Sequence, residues 1–122
     1  MARKKILLVD DTETVLLIEK MILNKSYDLV TARNGEEAIA TAIAERPDLI
    51  LLDVIMPRMG GLEACRLIKQ RPGISRIPII MVTTRSELHN VETAFRNGCA
   101  DYVTKPIDSV ELLTKVRNCV GE

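Results

Sequence analysis

Five residues of this chain are of types that do chemistry together: Asp10, Asp11, Asp53, Thr83 and Lys105. Each stands where an apolar run ends. Asp10 and Asp11 follow Ile6-Leu7-Leu8-Val9, Asp53 follows Ile50-Leu51-Leu52, Thr83 follows Met81-Val82, and Lys105 follows Tyr102-Val103-Thr104. Taken singly, each has an ordinary reading: helix caps for Asp10 and Asp11, a solvated loop charge for Asp53, a β-branched strand residue for Thr83, a solvated lysine for Lys105. Brought to one edge they amount to three carboxylates, a hydroxyl and an ammonium. Two carboxylates about 4 Å apart repel by roughly 4 kcal/mol at an effective dielectric of about 20. Three together need a counter-charge or a proton. Lys105 supplies one positive charge, and a divalent cation would supply two more. Ligands that are all oxygen favour a hard ion, and Mg²⁺, which keeps several of its waters, suits such a set. Beside it, Asp53 is suited to attack a phosphoryl group and form an aspartyl phosphate. Lys105 would offset charge on the transferred group, and Thr83 would hydrogen-bond to one of its oxygens.

That chemistry requires the five residues to share an edge, and the rest of the chain is patterned to provide one. Lys5 to Val9 reads as a first strand, with Thr12 or Asp11 capping the helix Thr14 to Leu23. Val15, Ile18 and Ile22 are expected on the inner face of that helix, with Glu19 and Lys20 turned outward. Leu29 to Ala32 is a second strand. Asn34 with Glu37 caps an alanine-rich helix to about Glu45, which Pro47 ends. Asp48 to Leu52 is a third strand, buried on both faces, leading into Asp53. Met56 to Gly61 is a loop, and Leu62 to Gln70 a helix with Leu62, Cys65 and Ile68 inward. Ile77 to Val82 is a fourth strand, with Pro78 near its start, where a missing N–H is tolerable. Ser86 is expected to cap a helix that turns Leu88, Val91 and Phe95 inward and ends on a left-handed Gly98. Ala100 to Thr104 is a fifth strand. Asp108 and Glu111 resemble a capping box opening a last helix through Cys119, closed by Gly121. Strands alternating with helices imply a five-stranded parallel sheet with helices on both faces, whose strand ends share one edge. In such sheets ligands bind in the crevice outside the carboxyl ends of the strands.

Bulk properties narrow the function. A chain of 122 residues fits one domain, read here as 1–122. Lys+Arg and Asp+Glu are 17 each, which argues against broad nucleic-acid or membrane attraction. Tyr27, Phe95 and Tyr102 are the only aromatics, too few for a base-stacking platform. Cys65, Cys99 and Cys119 form no CxxC and read as reduced core residues; with His89 the only histidine, no zinc site is expected. His89 itself shares a polar helix face with Glu92 and Arg96 and reads as solvated. The apolar run after Arg3-Lys4-Lys5 stops at Asp10, too short for a signal peptide or a span, so a cytoplasmic location is expected. The starting Met1 leans to a whole single-domain protein or an N-terminal domain.

Taken together, Ile6 to Asp11, Asn34 to Ala38, Leu52 to Pro57 with Gly60-Gly61, Val82-Thr83 and Asp101 to Pro106 resemble the receiver domains of two-component response regulators, with the closest likeness to stand-alone, chemotaxis-type receivers. Each motif is short, but their order and spacing are highly specific and cover essentially the whole chain. The resemblance implies a flavodoxin-like (βα)5 fold with strand order 2-1-3-4-5. It implies that Asp53 is the phosphoacceptor, and that Asp11, Asp53, Asp10 (directly or through water) and the backbone carbonyl of Ile55 hold Mg²⁺. Thr83 and Lys105 would contact the phosphoryl group. Tyr102 matches an aromatic that changes rotamer when Thr83 shifts, and Pro106 a proline usually preceded by a cis bond. The donor would be a phosphohistidine on a sensor histidine kinase. The output would be a protein partner or a second copy, bound by the face of the fourth helix, fifth strand and fifth helix, with no direct nucleic-acid or membrane binding. Such a protein is a phosphorylation-dependent signalling switch and no enzyme beyond its own phosphotransfer and self-dephosphorylation.

Two positions depart from the family's commonest pattern. Thr84 stands where a small residue usually follows the switch hydroxyl, and Ile55 puts an apolar side chain at a variable position beside Asp53, with the cation Arg85 nearby. Three other readings compete. A Mg²⁺-dependent phosphatase or phosphotransferase usually needs a second acid/base Asp close after the nucleophile and a cap; Ile55 stands two residues on, and no insertion forms a cap. A docking domain with an intact but unused acidic site is a second. A flavin-binding protein is a third, but two carboxylates after the first strand would repel its phosphate.

Overall fold

A computed structural model of the chain describes residues 3–122; residues 1 and 2, and with them the reading of Met1, lie outside the described residues. Five parallel strands lie in the order β2-β1-β3-β4-β5. They are β1 (Lys5–Val9), β2 (Asp28–Ala32), β3 (Leu49–Asp53), β4 (Ile79–Thr83) and β5 (Asp101–Thr104). The helices are α1 (Glu13–Leu23), α2 (Gly35–Glu45), α3 (Gly61–Gln70), α4 (Val91–Arg96) and α5 (Ser109–Val120). This is the flavodoxin-like order expected. Strand bounds shift by one or two residues: β3 takes in Asp53 and leaves out Asp48, and β4 starts at Ile79, so Pro78 precedes the strand.

The period of two along each strand sorts its side chains to two faces. Leu7, Val9, Ile50, Leu52, Ile79 and Met81 pack against α2, α3 and α4. Ile6, Leu8, Leu49, Leu51, Ile80, Val82 and Val103 pack against α1 and α5. Every residue of β3 and β4 is buried, as expected of central strands covered on both sides. The three cysteines are free thiols, two of them buried, and burial pushes Cys65 up to about 12 and Cys99 up to about 11.

Local chemistry sets the helix ends. Asn34 accepts a hydrogen bond from Glu37 N at 2.9 Å, and Asp108 accepts from Val110 N at 2.8 Å and Glu111 N at 3.1 Å. The Glu111 side chain pairs with Lys115 at 3.6 Å, so the expected reciprocal box is only half formed. Gly98 and Gly121 are left-handed, φ 103° and 82°, as expected of helix terminators.

Two helices differ from expectation. In α1 the buried residues are Leu16, Glu19 and Leu23, while Ile18, Leu17 and Met21 face outward. Between Thr84 and α4 the chain forms a 3-10 segment, Arg85–Asn90, before α4 begins. Thr84 rather than Ser86 holds the cap position, its N–H donating to Glu87 Oε1 at 3.3 Å. The tighter winding turns Leu88 and Phe95 outward, 40% and 45% exposed, and Ala94 fills the core position.

Candidate phosphoryl and metal site

The sheet brings Asp10, Asp11, Asp53, Thr83 and Lys105 to its C-terminal edge. Val9 and Leu52 are partners in the ladder, so the carboxylates that follow them emerge side by side. Asp53 is itself paired with Val82, which puts Thr83 one step further along the neighbouring strand. Thr83 pairs with Thr104, and Lys105 N donates to Thr83 O at 2.7 Å, which fixes where Lys105 leaves the sheet. The Lys105–Pro106 bond is cis.

The side chains converge. Asp10, Asp11 and Asp53 each place a carboxylate oxygen within 4.8 Å of the others'. Lys105 Nζ lies 3.2 Å from Asp10 Oδ2 and 3.2 Å from Asp53 Oδ1. Asp10 is fully buried, Asp53 nearly so, and Asp11 exposed. Asp10 Oδ1 accepts from Thr12 N at 2.9 Å, which turns the carboxylate toward the start of α1. Its Oδ2 has no well-directed hydrogen bond, so the Lys105 contact there is a charge attraction rather than an aligned bond. Three negative charges against one positive leave the rim short of counter-charge. Burial first, and then the charge of Asp10, push Asp53 up to about 6, although Lys105 pulls the other way. Burial pulls Lys105 down, but Asp53 and Asp10 more than offset it, and the ammonium is held above its ordinary range.

A hard divalent cation fits this set. The donors are all oxygen, they are close enough to share one ion, and Asp10 Oδ2 is a buried acceptor without a directed donor. Ile55 is the neighbour two residues past Asp53, and it is 56% exposed.

The floor beneath Asp53 is held by glycines. Gly61 N donates to Val54 O at 2.8 Å, and a Cβ on Gly61 would lie 2.0 Å from the Asp53 carbonyl oxygen. Gly35 N donates to Met59 O at 2.8 Å, and a Cβ there would lie 2.6 Å from that same oxygen. The loop from Val54 to Gly60 is thereby pinned from two sides. In the sequence Gly60 and Gly61 show only as part of a loop; the backbone they approach is what leaves no room for a side chain at Gly61.

Thr83 is fully buried and its hydroxyl donates to Thr84 O at 3.2 Å. Tyr102 is half-buried; its ring meets Phe95 edge-on at 6.4 Å, and Lys115 Nζ sits 4.9 Å from its centre. His89 is exposed on the 3-10 segment and takes no part in the site, as expected. The residue that the sequence reading missed is Glu19, expected outside and found buried with Oε1 lacking a hydrogen-bond partner. The signal was its place three residues after Leu16 and four before Leu23, on the helix face those two share.

Comparison with known proteins agrees with this geometry. Residues 6–117 match the family model of the response regulator receiver domain. The chain is 39% identical over 115 residues to the alkaline phosphatase synthesis transcriptional regulatory protein PhoP of Bacillus subtilis, covering 93% of this chain and 47% of PhoP. It therefore spans about half the length of that relative. With Protein PilH of Pseudomonas aeruginosa it shares 36% identity over 117 residues, 95% of this chain and 96% of PilH. Its backbone superposes with a TM-score of 0.90 on the receiver domain of the sensor histidine kinase PA1611 of Pseudomonas aeruginosa, at 29% identity and covering 99% of this chain and 100% of that one. That structure carries a magnesium ion coordinated in its active site cleft.

Proposed function

Because this chain belongs to the response regulator receiver domains, the phosphorylation-dependent switches of two-component systems, we propose that Asp53 is the residue that takes the phosphoryl group. The observation that carries the assignment is the rim itself: Asp53 sits at the end of a buried strand, within 3.2 Å of Lys105 and within shared-ligand distance of Asp10 and Asp11. We take residues 1–122 as one such domain.

Asp10, Asp11 and Asp53, with the backbone carbonyl of Ile55, would hold Mg²⁺. When bound, that ion supplies positive charge to the oxygens of the incoming phosphoryl group. An Asp53 carboxylate oxygen attacks phosphorus and forms an O–P bond. The bond from phosphorus to the donor breaks, and its electron pair stays with the leaving group, the imidazole nitrogen of a sensor kinase's phosphohistidine. Lys105, already drawn to Asp53, stays beside the transferred group and offsets its charge. Thr83 turns its hydroxyl from the Thr84 carbonyl to a phosphoryl oxygen. That motion frees space for the Tyr102 ring, which leaves its edge contact with Phe95 and moves inward. The face of α4, β5 and α5, where Phe95 and Val110 are exposed apolar side chains, then changes shape and carries the output to a protein partner or a second copy. The phosphoryl group shifts this equilibrium only because it interacts better with one of the two conformers.

The chemistry is a single phosphotransfer onto the chain and hydrolysis of the resulting acyl phosphate to carboxylate and inorganic phosphate, not turnover of a free substrate. Among the described residues no helix is long and apolar enough to cross a membrane, and we place the chain in the cytoplasm, where a kinase would meet it. The test is incubation with acetyl phosphate and Mg²⁺, read by intact mass. The wild type should gain one phosphoryl group and Asp53→Asn none; equal addition to both would reject Asp53 as acceptor.

A further inference from the structure

α1 is apolar almost all round, with Val15, Leu16, Leu17, Ile18, Met21, Ile22 and Leu23, so packing rather than pattern chooses its inner face. The face chosen buries Glu19, only 1% exposed, between Leu16 and Leu23. Burying a charged carboxyl is costly unless it is paired or keeps its proton, the more so the more completely water is removed. Glu19 has no ion-pair partner among the described residues, and its Oε1 accepts no hydrogen bond. The only other buried side-chain oxygen in that condition, among the described residues, is Asp10 Oδ2.

The two belong to one side of the sheet. Ile6 and Leu8 on β1, Leu49 and Leu51 on β3, and Val103 on β5 all face α1 and α5. By the period of two, Asp10, Asp53 and Lys105 continue those rows. Glu19 therefore lies on the α1 side beneath the carboxylate rim. The charged groups that act on it are Asp10 from the end of β1, Lys105 from beyond β5 and Asp53 from β3. From α5 the cluster that holds Leu16 and Leu23 takes Leu112 and Val116, with Leu113 and Cys119 partly buried against it. β2 contributes Leu29, while its Asp28 is exposed and paired with Arg3. Burial above all, then the charge of Asp10, hold the proton on Glu19 and push it up to about 8; Lys105 works against them.

We propose that Glu19 is a positioning residue that tunes the affinity of the carboxylate rim for a divalent cation. The proposal rests on the rim being the cation site. In the resting protein Glu19 is neutral, so it adds no charge beneath the rim and leaves Lys105 to Asp10 and Asp53. Once a cation offsets the carboxylates above, Glu19 gives up its proton more readily, and its new charge lies under the cation. By linkage the two events favour each other: the cation draws off a proton, and loss of the proton tightens the cation.

The test is calorimetric titration of the whole chain with magnesium chloride alone between pH 6 and 9, for wild type, Glu19→Gln and Glu19→Leu. A full charge within on the order of 10 Å of the ion should tighten wild-type binding by at least about threefold from pH 7 to 9. Both variants should bind with an affinity that stays level over that range, because neither can ionise. Repeating the titration near pH 8 in buffers of different ionisation enthalpy should show a proton released by the wild type and not by the variants. If Glu19→Gln does not fold, Glu19→Leu carries the comparison, since it replaces an unpartnered buried group with an apolar one. A level wild-type affinity from pH 7 to 9, or the same rise in the variants, overturns the role of Glu19 and leaves the rim standing. Failure of the wild type to bind magnesium at any pH overturns the rim and this inference with it.

Discussion

Replacing Asp53 by Asn should make the protein more stable at neutral pH, although it removes the phosphoacceptor. Asp53 is buried beside Asp10 and Asp11, and only Lys105 opposes their charge. Its carboxyl is pushed from 3.8 up to about 6, with burial the first cause and Asp10 the next. The sign follows from that direction. The folded protein holds the proton to a higher pH than the unfolded chain, so stability falls as pH rises from about 4 to 6 and stays lowered above that. A shift of roughly two units at 1.4 kcal/mol each places the cost near 3 kcal/mol at pH 7. Asn is neutral and of the same size, so it escapes this cost, less a small mispairing of its amide with the Lys105 ammonium. Urea unfolding without divalent cation, analysed by linear extrapolation, should show Asp53→Asn about 2–3 kcal/mol more stable at pH 7. At pH 4 most of that gain should vanish, because the wild-type carboxyl is then protonated when folded and already close to half protonated when unfolded. An Asn variant less stable than wild type at pH 7, or a gain of equal size at both pH values, would refute the repulsion argument. Such a trade is typical of sites where function holds like charges together.

Removing the ammonium should push the Asp53 carboxyl still higher: Lys105→Met deletes the one charge that lowers it, and a carboxyl-carbon NMR titration should show the midpoint move up. Gly61→Ala should destabilise by more than about 3 kcal/mol, since a Cβ 2.0 Å from the Asp53 carbonyl forces the backbone to move; equal urea midpoints for variant and wild type would contradict this. Ile55→Asn should shorten the lifetime of the phosphorylated protein, because the exposed apolar side chain beside Asp53 would otherwise shield the acyl phosphate from water; loss of phosphate followed by mass should be several-fold faster, and an unchanged rate would show that Ile55 does not shield it.

The site was legible because each of its residues ends an apolar run, and in a parallel sheet all such ends meet. Asp10, Asp53 and Lys105 arrive at one place for that reason alone, before any side-chain contact is considered. β1 was read with its bounds intact because Lys5 opens it and Asp10 closes it. What pattern could not supply was orientation where pattern is absent. α1 carries apolar residues on every side, so periodicity did not distinguish the face with Ile18 from the face with Leu16 and Leu23, and Glu19 was assigned to solvent. The segment after Thr84 has apolar residues at Leu88, Val91 and Phe95, spaced for an α-helix. Its 3-10 turn changes the angle per residue, and the expected inner face splays outward. The close approach of Gly61 to the Asp53 carbonyl is likewise a property of three dimensions, visible in the sequence only as a glycine pair.

The most direct test of the central claim is to trap the modified residue chemically. After phosphorylation with acetyl phosphate and Mg²⁺, borohydride reduces an aspartyl phosphate to homoserine while leaving free carboxylates untouched, and peptide mass mapping locates the change. Homoserine at position 53 alone is the predicted result. Homoserine at Asp10 or Asp11, or no conversion anywhere in a protein that has gained phosphate, would contradict the account.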